Sequence, residues 1–150
     1  MHNLHRSIRA LAVAGALIAS TATQAQTQFP VISLNAGINL IKAEVASSEA
    51  QREQGLMFRE SLGPNQGMVF LFGAPQQVCM WMKNTLIPLS VAFIDQSGNI
   101  VNIEEMKEQT LDSHCGAQKV SYALEMTSGW FKQKGIKPGT SIGGLPGAQQ

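Results

Sequence analysis

Cys79 and Cys115 are the only cysteines of the chain, 36 residues apart, and they bracket most of the side chains suited to chemistry. An even cysteine count in an exported protein, which the N-terminus argues this to be, favours a disulfide. Closing a loop of that length stabilises a fold by about 3–4 kcal/mol on the chain-entropy account. Two other uses stay open. The thiols could form a redox pair, although no Cys-x-x-Cys spacing is present, or could hold copper with His114 and Met80 or Met82. If Val78 to Asn84 is a strand, Cys79, Trp81 and Lys83 share one face and Val78, Met80, Met82 and Asn84 the other. A Cys79–Cys115 bond would then draw the polar loop from Lys107 to Gln118 across that face, bringing Asp112 and His114 to Trp81 and Lys83. An aromatic plate, a cation, a carboxylate and an imidazole suit a small polar ligand or a glycan. The plainer alternative buries Trp81, lets Lys83 snorkel to water and leaves the loop as a solvated cover.

Arg59, Lys83, Asn84 and Glu125 are polar residues set in apolar surroundings. Burying an unpaired charge costs several kcal/mol, so Glu125, in a strand-like run, is expected to pair with Arg59 or Lys83 unless a ligand does so. Asn84-Thr85 reads most simply as a turn before Pro88. The six methionines beyond Met1 are spread over different segments, as core fillers would be. Gly139-Thr140-Ser141-Ile142-Gly143 spells G-x-S-x-G, but no histidine follows it and no helix-length segment succeeds it, so the nucleophile-elbow context is missing. The carboxylates Glu104, Glu105, Glu108, Asp112 and Glu125 specify no pair for glycoside hydrolysis. Walker, dinucleotide and zinc-ligand spacings are all missing, so no cofactor and no metal site is expected.

These residues need a scaffold, and the hydrophobic pattern describes one. Val31 to Asn35 and Ile38 to Ala46 read as strands, the second with Ile41, Ala43 and Val45 on one face. Gly67 to Phe72 and Leu89 to Ile94 are apolar on both faces, as central strands are. Asp95 to Asn99 turns the chain into Ile100 to Ile103, a hairpin. Val120 to Met126 and Ile136 to Ile142 complete the set. Two short helices are expected. Ser48 caps one over Glu49 to Gln54, with Gln51 at the reciprocal position and Gly55 as the stop. Thr127 or Ser128 opens another, which carries Trp130 and Phe131 and closes at Gly135. Neither is long enough for the usual crossover between parallel strands. The expected class is therefore mainly β: an antiparallel sandwich or barrel with two short helices.

The N-terminus carries a different message. His5, Arg6 and Arg9 precede an unbroken run, Ala10 to Ala19, and Thr23-Gln24-Ala25 follows as a cleavage tripeptide, the layout of a secretory signal peptide. A run of about ten residues is half of what a membrane span needs. Cleavage after Ala25 would take Lys+Arg from 11 to 9 against 10 Asp+Glu, turning a formal charge of +1 into about −1 and leaving His114 as the one histidine. A near-neutral chain with 14% charged residues is a poor nucleic-acid binder.

Three blocks resemble a known family. They are Gly55-Leu56-Met57 with Arg59 and Gly67-Met68-Val69-Phe70; Trp81-Met82-Lys83-Asn84-Thr85-Leu86-Ile87-Pro88-Leu89; and Tyr122-Ala123-Leu124-Glu125 with Gly129, Gly135-Ile136 and Gly139. Together they resemble domain-of-unknown-function family 192 over roughly Ile38 to Ile142. The resemblance implies a compact, mostly β, jelly-roll-like domain, often exported, and no established reaction. The family pattern places an aspartate after the Pro-Leu pair, where this chain has Ser90. The organisation expected is a signal peptide over 1–25, a linker and first strand over 26–37, one β-rich domain over 38–145 and a tail over 146–150. The function expected is a periplasmic or secreted, non-catalytic binding or accessory module. It would be monomeric or weakly associating, for a small polar or glycan ligand contacted by Arg59, Trp81, Lys83, Asn84, Asp112, His114 and Glu125. The alternative is a small periplasmic hydrolase or copper-handling protein using His114.

Overall fold

The computed structural model describes residues 28–148; the expected signal peptide lies outside them. The described residues are mainly β, with nine strands among them: β1 Val31–Ala36, β2 Asn39–Ala46, β3 Gln66–Gln76, β4 Cys79–Met80, β5 Leu89–Ile94, β6 Ile100–Met106, β7 His114–Cys115, β8 Val120–Thr127 and β9 Ile142–Gly143. Two short helices accompany them, α1 Glu49–Gln54 and α2 Trp130–Gln133. Seven strands form one curled sheet in the order β6-β5-β8-β3-β2-β1-β9, and β4 pairs with β7 in a small second sheet.

The large sheet is mixed, because β2 and β3 run parallel while the other pairs are antiparallel. A long crossover helix proves unnecessary: the connection 47–65 makes the return with six-residue α1 and an extended loop. Helix α1 forms where its caps dictate. The Ser48 side chain accepts from the Gln51 N–H, Gln51 Oε1 accepts from the Ser48 N–H at 3.1 Å, and Gly55, at φ 47°, ends it. Helix α2 opens on Gly129 at φ 78°, a position that Thr127 or Ser128 was expected to fill. The segment 136–142 is a strand only at its end, because Lys137, Pro138 and Gly139, at φ 90°, turn away from the sheet.

Central strands β5 and β8 are buried along almost their whole length, as two-sided apolar runs require. Alternate residues feed two cores. On the concave side Val69, Ala92, Ile94, Leu124 and Met126 pack with Leu34, Ile41, Trp130 and Phe131. On the other side Met68, Phe70, Leu89, Val91, Phe93 and Ala123 pack with Leu56, Val78 and Met82, beneath α1 and the small sheet. Cys79 and Cys115 face each other in that small sheet and are joined by a disulfide, Cα–Cα 4.0 Å. The bond staples the cover of the second core. Replacing both cysteines by serine should lower stability by about 3–4 kcal/mol in urea unfolding, a loss that an unchanged midpoint would contradict.

Candidate functional site

Glu125 sits on β8 between Met68 of β3 and Val91 of β5, so both strand neighbours are apolar. The approach of β3 is close: a Cβ on Gly67 would collide with the Glu125 carbonyl oxygen. The side chain points to the covered side of the sheet and is 4% exposed. The ion pair expected for it is not made. Arg59 instead clasps Glu44 of β2 with both guanidinium nitrogens, Nη1 at 2.9 Å and Nη2 at 2.6 Å. Glu44 lies two residues inside the end of β2 and is partly exposed, so it can host a guanidinium fork without desolvating it. Lys83 remains at the surface. Burial pushes the Glu125 pKa from 4.5 up to about 8.

Glu125 lines a narrow cleft of about 30 Å³ whose wall mixes polar and charged residues (Arg52, Glu53, Gln54, Lys83, Thr85) with Leu56, Met57, Phe70, Met80 and Trp81. Directly beside it, and sharing Arg52, Glu53, Met57, Phe70, Met80, Trp81 and Lys83, opens a groove of about 660 Å³. Its walls come from four elements: α1, the middle of β3, β4 and the turn after β4. Helix α1 is locked to β3 by Arg52, whose Nη1 donates to the carbonyls of Ser47 and of Leu71 (3.1 Å) while its guanidinium lies 5.9 Å from the Phe72 ring centre. Gln51 Nε2 donates to the Gln28 carbonyl at 2.9 Å and holds the other end.

Trp81 is 52% exposed on the groove, and Lys83 Nζ stands 5.3 Å from its ring centre. Val78 and Met82 are buried while Cys79, Trp81 and Lys83 are exposed, but the expected alternation fails at half-buried Met80, which lines the groove with Trp81, and at exposed Asn84; the regular strand covers only Cys79–Met80. The alternative in which Trp81 is core is excluded by its exposure; the buried tryptophan is Trp130, whose Nε1 donates to Asn65 Oδ1 at 3.0 Å. Asn84 turns the chain at φ 54°, and its carbonyl accepts from the Phe58 N–H at 2.8 Å. It thereby ties the Trp81 loop to the segment after α1.

The loop 107–118 does cross this region, but its polar side chains do not enter the groove. His114 is opposite Met80 in the small sheet and half-buried, and Asp112 is exposed. Neither lines the groove or the cleft, because α1 and β3 already wall them. Sequence reasoning named Trp81, Lys83 and Glu125, which the fold brings together, and missed Arg52, Phe70, Phe72, Met57 and Met80. The capping box was the available signal for Arg52: it fixed a helix that must present one face to the sheet. Glu105 of β6 accepts the Ser90 hydroxyl at 2.7 Å, the Ser128 hydroxyl at 2.8 Å and the Gly129 N–H at 3.1 Å, clamping the start of α2. Among the described residues no group of three or more His, Cys, Asp or Glu could hold a metal, and no helix is long and apolar enough to cross a membrane.

Glu125 makes stability depend on pH. Between its unfolded value near 4.5 and its folded value of about 8, the folded state holds a proton that the unfolded state has released. Its stabilising contribution is therefore complete below pH 4.5 and declines by up to about 1.4 kcal/mol per pH unit as pH rises towards 8. Urea unfolding of wild type and Glu125→Gln at pH 5, 7 and 9 should show the variant gaining on wild type as pH rises. A gap independent of pH would contradict the assignment.

A family model for domain-of-unknown-function family 192, described as an uncharacterized ACR, matches residues 31–144. Two crystal structures share the fold. A Sinorhizobium meliloti protein provisionally described as a transcription regulator is 33% identical, with TM-score 0.73, over 78% of this chain and 95% of its own. A Novosphingobium aromaticivorans protein of unknown function is 28% identical, with TM-score 0.74, over 83% of this chain and 93% of its own. No curated protein matches the chain.

Proposed function

The chain belongs to domain-of-unknown-function family 192, and from that footing we propose that it is an exported binding module whose groove takes a small polar ligand or a glycan. The observation that carries this reading is Trp81, a large aromatic ring more than half exposed on a groove of about 660 Å³, with the buried Glu125 in a small adjoining cleft. An exposed indole face can stack on the row of C–H groups that a sugar ring offers. Lys83, Arg52, Glu49 and Glu53 border the groove with both signs of charge, which suits a polar ligand of low net charge. Groove volumes of this size are those of small-molecule sites, typically about 300–1,000 Å³.

Three features support export: the N-terminal charge-then-apolar pattern, the disulfide, and the near-neutral chain left after Ala25. The candidate contacts are Trp81 and Lys83, which line the groove, and Glu125 in the adjoining cleft. Asn84 acts on its loop, while Arg59, Asp112 and His114 lie outside the groove lining. The hydrolase or copper reading through His114 loses its footing in this arrangement, since the imidazole is not among the residues lining the groove.

Trp130 is buried, so ligand-dependent fluorescence reports on Trp81. Titration with a panel of neutral, amino and acidic oligosaccharides and peptidoglycan fragments should give saturable changes that Trp81→Ala abolishes. Silence across the panel, or identical curves from wild type and Trp81→Ala, would overturn the binding role.

A further inference from the structure

We propose that the open edge of β6 docks an extended segment of a partner protein, which adds a strand to the sheet and directs an aliphatic and an acidic side chain into a second groove, beside α2. This groove lies on the other face of the sheet from Trp81, so the proposal stands apart from the ligand reading above. Strand β6 is outermost in the seven-stranded sheet. Its start is already covered, because the Ile100 N–H donates to the Thr140 carbonyl at 2.9 Å and the Ile100 carbonyl accepts from the Gly139 N–H at 2.7 Å. The cover then ends. Asn102 to Met106 pair without a break with Leu89 to Phe93 of β5, and among the described residues no further backbone group bonds to their outer side. The loop after β7 reaches β6 through a side chain instead, since Asn102 donates to the Cys115 carbonyl at 3.1 Å and accepts from the Ala117 N–H at 2.9 Å. A row of unpaired N–H and C=O groups is a template for one more strand.

The side chains around this edge select the partner. Ile103 and Glu105 alternate on the face of β6 that also carries Ala92 and Ser90 of β5, and both line a groove of about 430 Å³ with Phe131, Lys132, Ile136, Lys137 and Pro138. A strand paired with β6 sends every second side chain to this face. Ile103, Phe131, Ile136 and Pro138 offer one of them an apolar seat. Lys132 and Lys137 are exposed and offer the next a cationic one. The single carboxylate in the lining, Glu105, is already engaged by Ser90, Ser128 and the Gly129 N–H, so the lysines are left for an incoming acid. Glu104 faces the other way, where the partner's remaining side chains are best uncharged. A second copy of this chain fits poorly, because a two-fold interface sets a patch against itself and would bring lysines to lysines.

The test measures fluorescence anisotropy of labelled, end-capped pentapeptides, Thr-Ile-Thr-Glu-Thr and the reverse order Thr-Glu-Thr-Ile-Thr, titrated with the protein. The better of the two should bind saturably and at least tenfold more tightly than its counterparts with lysine for glutamate or alanine for isoleucine. Charge reversal at the two exposed lysines, Lys132→Glu with Lys137→Glu, should invert the preference between the glutamate and lysine peptides. Methylating alternate amide nitrogens of the peptide removes the donors from one of its edges. One alternate set should therefore cost at least tenfold and the other little, which separates strand addition from a side-chain contact alone. No saturable binding, equal binding of the glutamate and lysine peptides, or indifference to both methylation patterns overturns the proposal. Self-association of the protein that Ile103→Lys abolishes, with no peptide bound, also overturns it and assigns the edge to a second copy.

Discussion

A carboxyl group with no ion-pair partner among the described residues, set in a strand buried on both faces, is the constraint on which the rest of this structure turns. Strand β8 lies between β3 and β5, and its neighbours at Glu125 are a methionine and a valine. An ionised carboxylate there would cost several kcal/mol, so the side chain carries its proton to about pH 8. The protein spends stability to keep a polar group at this depth. A hydrophobic residue of similar size would fill the position at lower cost. Glu125 lines the small cleft that adjoins the groove.

Everything that forms the groove follows from covering the second face of the sheet. The central strands leave Met68, Phe70, Val91 and Phe93 to be buried on the side away from the concave core. Helix α1 covers part of this surface because Arg52 and Gln51 fasten it to β3 and to the N-terminal segment. The small sheet covers another part, held by the Cys79–Cys115 bond. These two covers do not meet. The gap between them is the groove, with Trp81 on one bank and Phe70 at its base. The disulfide thus acts at a distance from any chemistry of its own, by holding one bank in place.

Much of this architecture could be read from the amino-acid sequence. Leu89–Ile94 was legible as a central strand because apolar residues on both faces have no other stable use, and its limits agree with the structure. Helix α1 was legible to the residue, since the capping box is a local device whose bonds close within four positions. What failed was long-range. Nothing in the sequence of β2 or β3 states that they pair in parallel, because strand direction is set by the route of the intervening chain. The segment 136–142 alternates like a strand, yet Pro138 and Gly139 prevail over the pattern.

The site was legible in part for the same reason. Trp81 and Lys83 stood out because their alternation with Val78 and Met82 was local. Glu125 stood out as a charge in an apolar run. The partners assigned to it were wrong, since Arg59 reaches Glu44 across the fold and no rule of spacing reveals that choice. His114 and Asp112 were expected beside Trp81 on the strength of the disulfide alone. The pairing of Met80 with His114 fixed the register of the loop, but α1, 60 residues earlier in the chain, supplied the opposite wall.

The central claim is that Glu125 stays protonated at neutral pH because burial alone acts on it. Carboxyl-carbon NMR with labelled glutamate, titrated from pH 4 to 10 on the free protein, measures this directly, with Glu125→Gln assigning the resonance. The account predicts one side-chain carboxyl titrating with a midpoint near 8. A midpoint near the ordinary 4.5 would contradict it.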